Sequence, residues 1–355
     1  MAVILVVTSA PPLVEGGHVV IARSLQQALV DAGHRAAIVT TPSNRFGRQA
    51  SAYLANWLTD VGETGDGTRV DQVISLRYPS FAVRHSHHVS WLNHTMREYY
   101  DLWDQFSARL SPQGRLKERA RRTCVRAVDN YLLKRVSTRF VQSETIRARL
   151  RRFNGLDAEV LHPPAPPRAY RCDGYGDYLF FASRLTPLKR ADLLLQALAR
   201  PEASAVRCVI GGDGEQRAEL VALAARLGLA DRVTFAGRLD DDALVAHLGR
   251  CRAVVFPPKD EDYGFVTIEA FVSGKAVITT TDSGGPLDLV KDGQNGLIVE
   301  PTADALAAAI SRVMDSPSDA ERMGQQALRD AAPITWSATV AKLTRKLYEN
   351  GAHRR

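Results

Sequence analysis

Two rhythms of apolar and polar positions alternate along the chain. Short, almost wholly apolar runs read as buried strands, and longer stretches with apolar residues three and four apart read as helices. Residues 2–8, 35–40, 70–76, 88–92, 138–142 and 159–162 are of the first kind. Residues 19–32 are of the second kind and stop at Gly33, which suits a helix C-terminus. Ser143 is placed to cap a basic helix that follows the fifth run. The same rhythm returns further on. It predicts strands at 178–182, 205–210, 232–236, 253–257 and 276–280, with a short one at 299–301. Helices are predicted at 190–199, 215–227, 240–249 and 266–272. Thr302 caps another at 303–314, and 337–348 is a last amphipathic stretch. Such alternation predicts parallel sheets covered by helices on both faces.

Between the two series lies a connector from His162 to Arg168 with prolines at 163, 164, 166 and 167. Prolines so dense exclude helix and sheet interior and make a semi-rigid spacer. The expected organisation is therefore an N-terminal Rossmann-like domain over 1–165, a second over 166–335, and a C-terminal helix in 336–355 that packs back on the first. The fold class is α/β, with two doubly wound domains.

A chain of 355 residues suits two such domains, and 45% hydrophobic with 24% charged residues is ordinary for a globular protein. No apolar run is long enough to span a membrane, and the N-terminus lacks the pattern of a signal peptide. The four cysteines, Cys124, Cys172, Cys208 and Cys251, have neither metal-knuckle nor redox spacing. Together these features suggest a reducing cytoplasm. The net charge of +7 is uneven: residues 107–152 hold 14 Lys/Arg against 3 Asp/Glu, which leaves the rest of the chain net negative. That stretch reads as a solvated or cleft-lining basic face, or as a peripheral contact with an acidic membrane or anionic acceptor. No nucleic-acid module accompanies it.

In an open parallel sheet, ligands gather beyond the carboxyl ends of the strands, where helix N-termini point. The rule selects the loops at 10–17, near 93–94, and at 183–189, 211–214, 237–239 and 258–265. Arg184 and Lys189 leave one strand end and make either a diphosphate cradle or a pair of surface cations. Glu261 stands in a loop, and Glu269 is placed in the first turn of the next helix. The two can hold sugar and ribose hydroxyls, or Glu269 can simply complement the helix dipole. Gly264 would let a ligand approach the backbone, with the amides of Phe265 and Val266 facing a phosphate. Gly16 and Gly17 cradle a phosphate, admit a sugar, or form a plain turn. His94 is structural or catalytic. His87 and His88 alternate across a strand, so with His85 they do not make a metal site. The acidic run 240–242 reads as a helix start.

These segments, in this order, resemble glycosyltransferase family 4, the retaining transferases of GT-B fold. The match rests on Gly16 and Gly17, the Arg-x4-Lys of Arg184 and Lys189, the Gly-Gly-Asp-Gly at 211–214, and the Glu-x7-Glu of Glu261 and Glu269. It is strongest over 178–315. One departure is Asp288, which stands where the family's Gly-Gly-x-x-Glu has its glutamate.

The resemblance implies two Rossmann-like domains facing across a cleft and closing on a nucleotide-diphosphate sugar. Arg184 and Lys189 would neutralise the leaving diphosphate, and Glu261 would touch the donor sugar. Glu269 would hold the ribose, and Arg238 and Leu239 would border the base. Gly264, Phe265 and Val266 would offer amides, Gly16 and Gly17 would lie near the diphosphate, and His94 near the sugar. No metal or other cofactor is expected. A UDP-sugar is favoured and a GDP-sugar is the other option. The acceptor is a small molecule, a polysaccharide or a lipid-linked molecule. The alternatives are a catalytically silent nucleotide-sugar-binding protein and another enzyme on the same fold, such as an epimerase.

Overall fold

The protein is described here by a computed structural model, which covers residues 1–11, 16–42 and 46–351. The chain divides into two compact units, Met1–Pro164 with Ile334–Arg355, and Ala165–Pro333.

The first unit runs β1 (Val3–Ala10), α1 (Gly17–Asp31), β2 (Arg35–Pro42), α2 (Gln49–Leu58), β3 (Gln72–Ser75), β4 (His88–Leu92), α3 (Trp103–Ala108), α4 (Pro112–Arg135), β5 (Thr138–Val141), α5 (Glu144–Asn154) and β6 (Glu159–Val160). Its six strands are parallel, in the order β2-β1-β3-β4-β5-β6. Val3 to Val7 of β1 are buried throughout, as a central strand covered on both faces requires. Gly33 follows α1 with φ +83°, a left-handed turn that a glycine takes without strain. Ser143 Oγ accepts from the Ile146 amide at 3.2 Å and starts α5. The aromatic core under α4 gathers Tyr53, Phe81, Tyr99, Tyr100 and Trp103.

The second unit runs β7 (Tyr178–Ala182), α6 (Ala191–Leu198), β8 (Arg207–Gly211), α7 (Arg217–Arg226), β9 (Val233–Gly237), α8 (Asp241–Arg250), β10 (Ala253–Val255), α9 (Phe265–Val272), β11 (Val277–Thr280), β12 (Gly296–Val299), α10 (Ala303–Asp315) and α11 (Pro317–Ala331). The order is β12-β11-β10-β7-β8-β9, again all parallel. Asp240 caps α8 by accepting from Ala243 at 2.8 Å, and Thr302 caps α10. The strand expected at 299–301 lies earlier. Gly296 to Val299 pair with Val277 to Thr280, because an Asp292-Asn295 turn delivers the chain to the sheet at Gly296. Four helices were not expected: α2, α3, α4 and α11.

A last helix, α12 (Trp336–Gly351), packs on the first unit. Trp336 meets Trp91 edge-on at 6.3 Å, and Gln72 Nε2 donates to the Leu343 carbonyl at 2.8 Å. Lys342 pairs with Glu159 at 2.8 Å.

Two buried titratable groups in the first unit oppose each other. His88 bonds Ser75 Oγ at 2.8 Å, and burial, with a smaller push from His85, lowers its pKa from 6.5 to about 4. Asp129 is fully buried and accepts from Tyr53 and from Tyr100 (2.7 Å). Burial outweighs those bonds and raises its pKa from 3.8 to about 7. Between pH 4 and 6.5 folded His88 binds fewer protons than the unfolded chain, so its contribution to stability rises with pH. Between pH 3.8 and 7 folded Asp129 binds more, so its contribution falls with pH. Across their windows His88 is worth about 3 kcal/mol and Asp129 about 4 kcal/mol, so the two largely offset in the native chain. Asp129→Asn should therefore give stability that climbs from pH 4 to 6.5, and His88→Gln stability that declines from pH 4 to 7. Urea titrations of all three proteins at several pH values check this, and equal slopes would contradict it.

Candidate functional site

Within the second unit, the strands β10, β7, β8 and β9 lie side by side, and their carboxyl ends release the four loops that the sequence singled out. Backbone hydrogen bonds lace these loops together. Ser183 N donates to Gly211 O (3.1 Å), Leu185 N to Asp213 O (2.9 Å), Gly212 N to Gly237 O (2.6 Å) and Lys259 N to Leu188 O (2.7 Å).

Lys189 and Glu261, 72 residues apart, form an ion pair between Nζ and Oε2 at this edge. Both are about one-fifth exposed, and the ammonium also sits 5.5 Å from the centre of the Phe256 ring. Arg184, on the same loop, is exposed to solvent and makes no ion pair among the described residues. The structure thus holds one of the two predicted cations in an ion pair and leaves the other exposed.

Glu269 is nearly buried. It lies in the second turn of α9, because that helix begins at Phe265 and has no acidic residue in its first turn. The expectation of a first-turn dipole partner is corrected accordingly. Its carboxylate instead meets Arg168 and Tyr170. Both donors reach the same oxygen, Oε1, Arg168 through Nη1 and Tyr170 through its hydroxyl at 3.1 Å. Arg168 also binds Asp241 Oδ1 at 2.7 Å. Burial raises the Glu269 pKa, and contact with Arg168 and the Tyr170 hydroxyl works against it. Burial alone would lower Arg168, but Glu269 first and then Tyr170 and Asp241 carry it above the ordinary arginine value.

Gly264 caps α9 with φ +81°, and a Cβ there would come within 2.7 Å of the Phe256 ring. Phe265 and Val266 open the helix, where amides have no partner within the helix. Leu239 packs on Gly211, where an added Cβ would lie 2.6 Å from Leu239 Cδ1, and Arg238 is exposed.

In the first unit, Gly16 and Gly17 stand at the start of α1, beyond the carboxyl end of β1. Gly16 is the N-cap, and its carbonyl accepts from Val19 at 2.9 Å. The rest of that loop, 12–15, lies outside the described residues. His94 follows β4, and its Nδ1 donates to the Thr95 carbonyl at 2.7 Å. It shares a small hollow with Arg97, Asp101 and Arg149, where Asp101 pairs with Arg97 (2.6 Å) and Arg149 (3.5 Å). The neighbouring histidines point to backbone and hydroxyl partners: His85 Nε2 to Val70 O, His87 Nδ1 to Asp71 O, and His88 to Ser75.

Much of the basic stretch is used inside the unit. Arg122 lies over Trp103 and donates to Tyr99 O, and Arg126 lies over Tyr100 and donates to Phe153 O. Arg139 donates to the carbonyls of Leu133 and Val136, and Arg147 and Arg151 converge on Asp157. No helix among the described residues is long and apolar enough to cross a membrane.

Arg168 and Tyr170 are the site residues that the sequence did not reveal. They belong to the connector and its continuation, about a hundred positions from Glu269, and no spacing announces such a contact.

Two Rossmann-like units of this topology are the GT-B architecture, and solved structures with the same fold make the comparison concrete. The chain superposes on sucrose-phosphate synthase from Thermosynechococcus elongatus with TM-score 0.72 at 18% identity, over 98% of this chain and 99% of the other. It superposes on Anabaena HepE, solved with UDP and glucose, with TM-score 0.69 at 19% identity, over 96% and 99%. Residues 170–330 match the family model of glycosyl transferases group 1. A D-inositol 3-phosphate glycosyltransferase from Frankia alni is 35% identical over 206 residues, 54% of this chain and 50% of that protein. One from Streptomyces avermitilis is 36% identical over 49% of this chain and 40% of that protein. The chain spans half or less of the length of these curated relatives in the alignments.

Proposed function

We propose that the chain is a glycosyltransferase that moves a sugar from a nucleoside-diphosphate sugar to an acceptor hydroxyl with retention of configuration. The observation that carries this reading is the meeting of Lys189 with Glu261 at the strand edge from which α9 and Glu269 also project. An ammonium there can take the charge that builds on a departing diphosphate, joined by Arg184 and the first amides of α9. A carboxylate beside it can accept hydroxyls of the sugar, and Glu269, braced at one oxygen, offers the other to a ribose. His94 and the Gly16-Gly17 turn are assigned to the sugar and diphosphate on the resemblance of their segments to family 4. Arg238 and Leu239 border the base. The charge stabilisation is assigned to these cations and amides, with no metal.

UDP is the nucleotide we favour, supported by its presence in the HepE structure of the same fold. Thermal shift against UDP, GDP and ADP tests this, since a ligand that binds only the folded state raises Tm. Release of the diphosphate from candidate sugar donors, with and without acceptor, separates a transferase from a silent binder or an epimerase.

Glu261→Gln gives a sharper check. Removing the carboxylate charge releases Lys189 to the diphosphate, so UDP binding should hold or tighten while transfer falls at least tenfold. Calorimetry with UDP and steady-state transfer assays read the two quantities. Loss of both together would make Glu261 a structural partner of Lys189 and nothing more.

A further inference from the structure

Among the described residues, only Arg190 (φ +52°) and Asp260 (φ +49°) place a residue other than glycine in the left-handed region. That conformation is costly for a side chain carrying a Cβ, and it persists where surrounding contacts over-determine it. Both residues stand directly beside the ion pair of the site: Arg190 follows Lys189, and Asp260 precedes Glu261.

One residue grips both. The Arg190 guanidinium meets the Asp282 carboxylate in a two-pronged contact, Nη1 to Oδ1 at 2.9 Å and Nη2 to Oδ2. The Asp260 amide donates to the Asp282 carbonyl at 2.8 Å. Thr280 Oγ1 steadies the same carboxylate at 3.0 Å. The next links continue the strap: Glu261 N donates to Ser283 O and Gly285 N to Glu261 O, both at 2.9 Å. The turn after β11 therefore holds, through one aspartate, the two backbone points that set where Lys189 and Glu261 project.

We propose that Asp282 is a positioning residue of the donor site, acting through Arg190 and Asp260 to fix the Lys189–Glu261 pair in one arrangement toward diphosphate and sugar. This rests on the reading under Proposed function. The site needs such a device because catalysis by charge stabilisation is lost quickly when a charged group drifts from its place. A bidentate arginine–carboxylate contact is suited to it, since it fixes direction as well as distance.

The test is a cycle of variants. Asp282→Ala removes the carboxylate and keeps the carbonyl that Asp260 uses. It should lower kcat by roughly tenfold, with a smaller change in the donor KM. Arg190→Gly lets position 190 take its φ without a clamp, because glycine populates that region freely. In the Arg190→Gly background, Asp282→Ala should then lower kcat by less than about twofold. A residue that merely supported the fold would lower Tm and leave kcat of the folded protein unchanged, so Tm is recorded for every variant. Equal tenfold losses in both backgrounds, or no loss of kcat in the native background, would overturn the clamp. Thermal shift of the native chain with UDP, GDP and ADP runs beside the cycle. No shift with any of them removes the donor site and the clamp together, whereas a shift without coupling between 190 and 282 removes the clamp alone.

Discussion

Lys189→Ala should lower kcat/KM for the sugar donor by roughly 10²–10³, a loss of about 3–4 kcal/mol of transition-state stabilisation. Three features make Lys189 the residue with most to lose. It is largely withdrawn from water and paired with Glu261, so its charge acts in a medium where it is weakly screened. Its ammonium lies over the Phe256 ring, 5.5 Å from the centre, which favours that position. Arg184 is too exposed to take its place without first losing solvent and side-chain freedom. Removing Lys189 also leaves the Glu261 carboxylate uncompensated next to an incoming diphosphate, which adds repulsion to the lost attraction. The double variant Lys189→Ala, Glu261→Gln separates the two effects: UDP affinity should recover part of its loss while transfer stays low. Steady-state kinetics and calorimetry, with Tm within a few degrees of the native chain, measure the result. A change in kcat/KM below threefold would contradict the role assigned to the ammonium.

How much of this was readable before the structure depends on which physical signal each element carries. Buried parallel strands announce themselves as apolar runs, and β4, β7 and the capped starts of α5, α8 and α10 stand where the sequence put them. The strand-edge rule then brought together the loops bearing Lys189 and Glu261 without any knowledge of their contact. Helix α11 was invisible for the opposite reason. The face it buries is Ala320, Met323, Gly324, Ala327 and Ala331, mostly small residues that give little apolar contrast. They are small because the helix comes so close that a Cβ on Gly324 would lie 2.1 Å from the Gly274 carbonyl. Helix α2 hid because Leu54 and Leu58 face solvent and blur its amphipathic pattern. Charge counting left a choice open. The surplus in 107–152 read as a solvated or cleft-lining face or as a contact for a membrane or anionic acceptor, and arginines 122, 126 and 139 serve carbonyls and rings within the unit. The braces on the site residues, Arg168 on Glu269 and Asp282 on Arg190, join positions about a hundred apart. Such pairings follow from the fold, and no local pattern encodes them.

The second large effect should come from a residue with no side chain. Gly212 has φ +124°, and a Cβ built on it would sit 1.8 Å from the Ser183 carbonyl oxygen. The obstacle is backbone, so no rotamer change relieves it. The turn after β8 has to move away from the loop after β7, against the hydrogen bonds Ser183 N to Gly211 O and Gly212 N to Gly237 O. Gly212→Ala therefore adds a steric cost to the strain of a left-handed alanine, together about 3–5 kcal/mol. Gly228→Ala gives the cost of an alanine in the left-handed well alone, because φ there is +69° and an added Cβ meets nothing within 4 Å. That variant should cost only about 1 kcal/mol, so the difference between the two midpoints in urea reads the collision together with the added strain of φ +124°. The functional consequence follows from where the loop leads. Residues 183–189 carry Arg184 and Lys189, so displacing Ser183 shifts the cations together. Gly212→Ala should lose UDP affinity even at temperatures where it remains folded, while Gly228→Ala should bind as the native chain does. Equal midpoints for the two variants would mean that the two loops have room to part. Native UDP affinity in folded Gly212→Ala would mean that the placement of Lys189 does not depend on their close packing.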